Sequence, residues 1–168
     1  MKVLFVYPEY QGGGFKPPNI SLLSAILAKH GHERRLFDTS LYDIPIAGRV
    51  DDKSTSEELL VFPKTTMPPG AFKHFNKNFI EAFNDTLKEY KPDLVAFSTT
   101  SIPYIMAEQL IKGTKVNKRP AFAIGGIHAL SCPDEVIGSG LFDYICLGEG
   151  ENAIIGIMEH LAGERTAS

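Results

Sequence analysis

The 168-residue chain contains no tryptophan and only two cysteines, Cys132 and Cys146. Without CxxC spacing, two cysteines supply neither a disulfide scaffold nor a four-thiolate zinc site. Their scarcity fits a reducing, cytoplasmic setting. No apolar run approaches the roughly 20 residues of a membrane span, and the start MKVLFVYPEY reaches Pro8 and Glu9 too soon for a signal peptide. Basic charge is not in excess: 17 Lys plus Arg stand against 20 Asp plus Glu, a net charge of −3. No dense basic stripe is present to track a phosphate backbone, so nucleic acid is not an expected partner. Catalytic signatures are missing as well. The five histidines form no HExxH pair, Ser98 is not in a GxSxG elbow, and neither cysteine is read as having a histidine partner. The glycines form neither GxGxxG nor a Walker loop.

What is present describes one ordinary domain. At 43% hydrophobic and 22% charged, a chain of this length buries roughly 70% of its unfolded surface and needs no metal or disulfide to stay folded. Residues 3–7 (VLFVY) are a continuous apolar run rich in β-branched and aromatic residues, the pattern of a strand covered on both faces. Ile20, Leu22, Leu23, Ile26 and Leu27 then recur at helical spacing until Gly31. Residues 33–38 give a second, less apolar strand suited to an edge. Three more buried strands are predicted at 94–98 (LVAFS), 121–124 (AFAI) and 144–147 (YICL).

Helical patterns separate these strands. Phe72, Phe75, Phe79, Phe83, Leu87 and Tyr90 mark one that ends before Pro92. Ile102, Ile105, Met106, Leu110 and Ile111 mark the next, Val136 and Ile137 a short one, and Ile154, Ile155, Met158 and Leu161 the last. Core packing is their expected role. Five strands alternating with helices predict a parallel sheet wrapped on both faces, a flavodoxin-like (Rossmann-like) three-layer α/β sandwich with strand order 2-1-3-4-5. Residues 43–70, with four prolines and the polar run DDKSTS, keep no period. They read equally as a lid over the sheet edge or as a surface excursion.

Ligands of such sheets sit beyond the carboxyl ends of the strands. After the first strand come Glu9, Tyr10, Gln11, Gly12, Gly13 and Gly14. The three glycines would let backbone approach a large ligand, or simply make a flexible turn. After the third stand Ser98, Thr99, Thr100 and Ser101, small hydroxyls able to bond a polar ligand, one of them explained by helix capping. After the fourth come Gly125, Gly126, Ile127 and His128. The paired glycines leave room for a flat group, and the lone histidine reads as a helix cap or surface residue rather than a metal ligand. After the fifth come Gly148, Glu149, Gly150 and Glu151, whose carboxylates favour the positive end of the final helix. The loops together describe a binding surface for something broad, flat and rich in hydrogen-bonding groups, with no catalytic constellation.

Taken in order, KVLFVYPEY, the PPNISL helix start, KPDLV with Ser98-Thr99-Thr100, GGIH, and Asp143-Tyr144 leading to GEGE resemble the N-terminal cobalamin-binding domain of B12-dependent radical SAM enzymes. The resemblance runs from Lys2 to about Leu161. It implies a single cobalamin-binding domain over 1–168, with 43–70 as an insertion. It also implies a partner radical SAM domain elsewhere in a longer protein, because the CxxxCxxC motif for a [4Fe-4S] cluster is not in this sequence. S-adenosylmethionine and the cluster would belong to that domain, and the present chain would hold the cofactor without a self-contained active site. Methyl transfer and oxidative cyclisation are the implied reactions.

Better-known cobalamin modules carry DxHxxG after the first strand, where the histidine ligates cobalt. The matching stretch here is ExQxxG, with Gln11 at the histidine's place. The resemblance therefore implies no strong protein ligand beneath cobalt, with His128 the other residue to test there. Ser98 and Gly125-Gly126 match positions lining the slot for the cofactor's nucleotide tail. A flavin or nucleotide module and a receiver-like signalling domain share the predicted strand order, and remain alternatives on the fold alone.

Overall fold

The computed structural model describes residues 1–9, 18–42 and 75–163. The expected ligand loop at Tyr10, Gln11, Gly12, Gly13 and Gly14, the excursion at 43–70 and the helix start at Phe72 lie outside the described residues.

Five parallel strands form one sheet: β1 (Lys2–Tyr7), β2 (Glu33–Asp38), β3 (Leu94–Ser98), β4 (Ala121–Gly125) and β5 (Tyr144–Ile145), in the order β2-β1-β3-β4-β5. This is the flavodoxin-like topology that the strand pattern predicts. The edge position of β2 follows from its composition, since only Phe37 of its six residues is buried. The other edge, β5, is shorter than its apolar run. Cys146 still donates its N–H to the Ile124 carbonyl at 2.8 Å, but Leu147 is already half-exposed.

Helices cover both faces. α1 (Pro18–Lys29) and α6 (Gly150–Leu161) lie on one. α2 (Phe79–Tyr90), α3 (Ser101–Lys112), α4 (Ile127–Ser131) and α5 (Pro133–Ser139) lie on the other. The central strands β1, β3 and β4 serve both cores by alternation. Val3, Phe5, Leu94 and Ala123 face α1 and α6. Leu4, Val6, Val95, Phe97, Phe122 and Ile124 face α2 to α5.

Three helical expectations are corrected. The Phe-rich pattern does not begin a helix at Phe75. Asn78 caps α2, its Oδ1 accepting the N–H groups of Ile80 at 2.9 Å and Glu81 at 3.3 Å, so Phe75 is left in a bridge to Tyr42 with the two rings stacked at 5.5 Å. One short helix after β4 is in fact two, because Pro133 has no N–H with which to continue α4. Helical spacing also overstates burial: Leu22, Ile105 and Ile137 are all more exposed than core positions allow. Among the described residues, no helix is long and apolar enough to cross a membrane.

The same device pins two strands at the amino end of the sheet. Before β3, the Asp93 carboxylate accepts the Lys2 N–H at 2.8 Å, while the Asp93 backbone bonds Lys2 at 2.9 Å and Ala121 at 3.1 Å. Before β5, the Asp143 carboxylate accepts the Phe122 N–H and the Arg119 guanidinium, each at 2.7 Å. KPD and FDY are thus register locks, placed opposite the edge that carries the ligand loops.

Candidate cofactor site

On the α1/α6 face a cleft of about 220 Å³ opens at the carboxyl ends of β3 and β4. Its cause is in the strands. Where the opposite face carries Phe97 and Phe122, this face carries Ala96 and Ala123, and both line the cleft. The helices could close over small side chains only by approaching the sheet more nearly. Part of the gap stays open between Leu23 of α1 and Ile154 and Ile157 of α6.

The rim is polar. Ser98 ends β3 beside Gly125 of β4, its direct register partner, and the Ser98 Oγ accepts a 2.6 Å hydrogen bond from the Asn19 amide at the start of α1. Glu149 and Glu151 stand at the first turn of α6. Gly126 is required by the backbone. At φ +100° it occupies a conformation that L side chains rarely adopt, and a Cβ there would stand 2.6 Å from the Thr99 carbonyl oxygen. Gly150 lets α6 start against α1, since a Cβ would press on Leu23 at 3.3 Å.

The sequence-derived residues divide on this geometry. Ser98, Gly125, Gly126, Gly148, Glu149 and Gly150 line the cleft. Thr99, Thr100, Ser101, Ile127 and His128 do not. Thr99 is buried and ties β3 to β4, its N–H donating to the Gly125 carbonyl at 3.1 Å. Thr100 and Ser101 begin α3, where the Thr100 side chain makes no capping bond. Ile127 is exposed at 64%. His128 is neither a cap nor a surface residue: it lies inside α4, 3% exposed, on the sheet face away from the cleft, its ring stacked 4.0 Å from Tyr104. It also has a cysteine beside it, because Cys132 follows one helical turn later and its sulfur falls within 4.8 Å of the imidazole. The expectation that neither cysteine has a histidine partner is corrected for Cys132. The other cysteine, Cys146, lines the cleft.

Glu9 follows β1 at the same edge. Its carboxylate accepts the Tyr7 hydroxyl proton at 3.2 Å, and burial followed by the Glu9 charge raises the Tyr7 pKa above its ordinary value. Sequence reading passed over Thr39, which holds this exit. Fully buried, its hydroxyl accepts the Glu9 N–H and donates to the Glu9 carbonyl, both at 2.7 Å. Asn19, Ala96, Ala123 and Cys146 were also missed. The paired alanines were the available signal, since they fall on the same side of adjacent strands.

At about 220 Å³ the cleft is smaller than the roughly 300–1,000 Å³ of pockets that enclose a whole drug-sized ligand. It suits one flat, apolar limb of a larger molecule whose polar remainder lies across the rim. That is the shape of a corrinoid with a base on a nucleotide tail, and the residues fit the group.

The B12 binding domain family model matches residues 71–157, just over half of the chain. The protein belongs to that family, and its cofactor is cobalamin. No curated protein matches it significantly. Two solved structures of the radical S-adenosylmethionine methyltransferase TsrM from Kitasatospora setae share the fold. The one with cobalamin and a [4Fe-4S] cluster bound is 16% identical, with a TM-score of 0.67 over 99% of this chain and 25% of that one. The one with tryptophan substrate and a SAM analogue bound is 15% identical, with a TM-score of 0.65 over 99% of this chain and 26% of that one. The chain thus spans about a quarter of the length of these structures.

Proposed function

We propose that this chain, as one domain over 1–168, is the cofactor-holding part of a B12-dependent radical SAM enzyme, with the cobalamin tail in the α1/α6 cleft. The observation that carries the reading is the cleft itself, an apolar slot with a polar rim in a domain of the B12-binding family. Leu23, Ala96, Ala123, Ile154 and Ile157 would exclude water from the base. Asn19, Ser98 and the Gly125-Gly126 backbone would bond the polar linkage above it. Glu9, Tyr10, Gln11, Gly12, Gly13 and Gly14, with Gly148, Glu149 and Gly150, would border the corrin. Bound cobalamin supplies methyl-group transfer or redox chemistry. No strong protein ligand is expected beneath cobalt: Gln11 offers an amide, a far poorer donor than imidazole, and His128 faces the other layer. S-adenosylmethionine, the [4Fe-4S] cluster and the substrate belong to a partner radical SAM domain.

The protein is mixed with hydroxocobalamin, desalted and scanned in the visible. Retention of about one corrinoid per chain, with a base-off, histidine-off spectrum, is expected. No retained corrinoid at micromolar protein overturns the reading. A CxxxCxxC motif in the reading frame after Ser168 tests the enzyme context separately.

A further inference from the structure

His128, Cys132 and Glu135 project from α4, its end and α5 onto one point, with their nitrogen, sulfur and carboxylate oxygen atoms all within 4.8 Å of one another. They lie across the sheet from the cofactor cleft, among residues that the proposed function does not use. The break between the two helices makes the cluster. Cys132 leaves α4 at φ −132°, ψ 53°, and Pro133 restarts the chain as α5, so Glu135 comes back over His128.

His128 is the independent sign of a ligand here. Its side chain is 4% exposed, and neither ring nitrogen has a hydrogen-bond partner among the described residues. Leaving such a buried polar group unsatisfied is costly, and a bound ligand would remove that cost. Tyr104 fixes the ring plane by stacking, which holds Nε2 3.7 Å from the Glu135 carboxylate. That is too long for a hydrogen bond. It is close to the separation of a nitrogen and an oxygen donor on one tetrahedral zinc ion, about 3.3–3.6 Å for bonds of about 2.0–2.2 Å. Cys132 is half-buried and Glu135 is exposed, so an ion can enter from the Glu135 side.

We propose that His128, Cys132 and Glu135 form a mononuclear site for a divalent transition metal, separate from the cobalamin cleft. Thiolate, imidazole and carboxylate together select zinc over magnesium or calcium, which take oxygen ligands. Three protein ligands leave a fourth position for water or another donor. The ion would complete His128 and clamp α4 to α5 beneath β4.

The test uses corrinoid-free protein, so its result does not depend on cobalamin binding. Zinc is titrated in competition with a chromogenic chelator, and Co(II) then serves as a spectroscopic probe. One zinc per chain is expected, at submicromolar Kd. A thiolate-to-cobalt charge-transfer band should appear, persist in Cys146→Ser and vanish in Cys132→Ser, with zinc binding at least 30-fold weaker. Glu135→Gln, on the exposed side, should weaken binding about tenfold while keeping the band. His128→Gln is read only if its circular dichroism is that of the parent, and the other two variants decide the matter without it. Zinc affinity in Cys132→Ser within threefold of the parent, or no stoichiometric zinc in the parent, overturns the site.

Discussion

The two faces of the sheet are built from the same strands and end differently. On the α2–α5 side, Phe37, Phe83, Phe97, Phe122 and Phe142 form a chain of rings with centroids 5.3–6.4 Å apart, each pair contributing roughly 0.5–1.5 kcal/mol beyond its burial. On the α1/α6 side, alanines stand at the matching positions of β3 and β4, and a cleft remains. One face is filled with aromatic rings and the other keeps an open cleft. Alternation along a strand makes the division possible, since neighbouring residues answer to different layers.

The comparison breaks most severely at the centre of the filled face. Phe97→Ala should cost about 3–5 kcal/mol, read as a lowered urea midpoint. Gly126→Ala, at the junction of the faces, should cost about 1–3 kcal/mol, because the residue must leave φ +100° or push the Thr99 carbonyl away. On the open face, Ala123→Leu should cost no more than about 1–3 kcal/mol. It should nevertheless reduce cobalamin retention at least tenfold, measured by corrinoid absorbance after desalting. Equal retention with a filled cleft would move the tail elsewhere.

Smaller effects are expected at the rim and in alkali. Asn19→Ala loses its bond to Ser98 at an exposed position and should cost under about 0.5 kcal/mol, with a few-fold loss of cobalamin affinity. Burial raises the pKa of Tyr104 on the filled face and of Tyr7 and Tyr144 on the open one. A phenol that ionises later in the folded chain than in the unfolded chain stabilises the fold below pH 10. That contribution is lost as the pH rises through the raised value. An ultraviolet titration beside urea melts should show unfolding and late phenolate formation together.

Much of the fold was legible because strand and helix periods are local. Residues 33–38 and 94–98 end where the pattern ends, and the change from an apolar β1 to an exposed β2 predicted the edge. The Phe pattern before Asn78 misled because stacking with Tyr42 requires aromatic residues as helical packing does. Half of the site was legible for one reason: Ser98, Gly125 and Gly148–Gly150 follow strands, and parallel strands end on one edge. His128 follows a strand too, yet α4 turns it toward Tyr104.

By itself the sequence determined the order of elements, the parallel sheet and the edge on which a ligand would sit, since each depends on neighbours a few residues apart. Only the tertiary structure decided that Ala96 and Ala123 meet across two strands to leave a cleft, and that Glu135 of α5 returns to His128 of α4. Both depend on how side chains from separate elements share space, a property that no local period encodes.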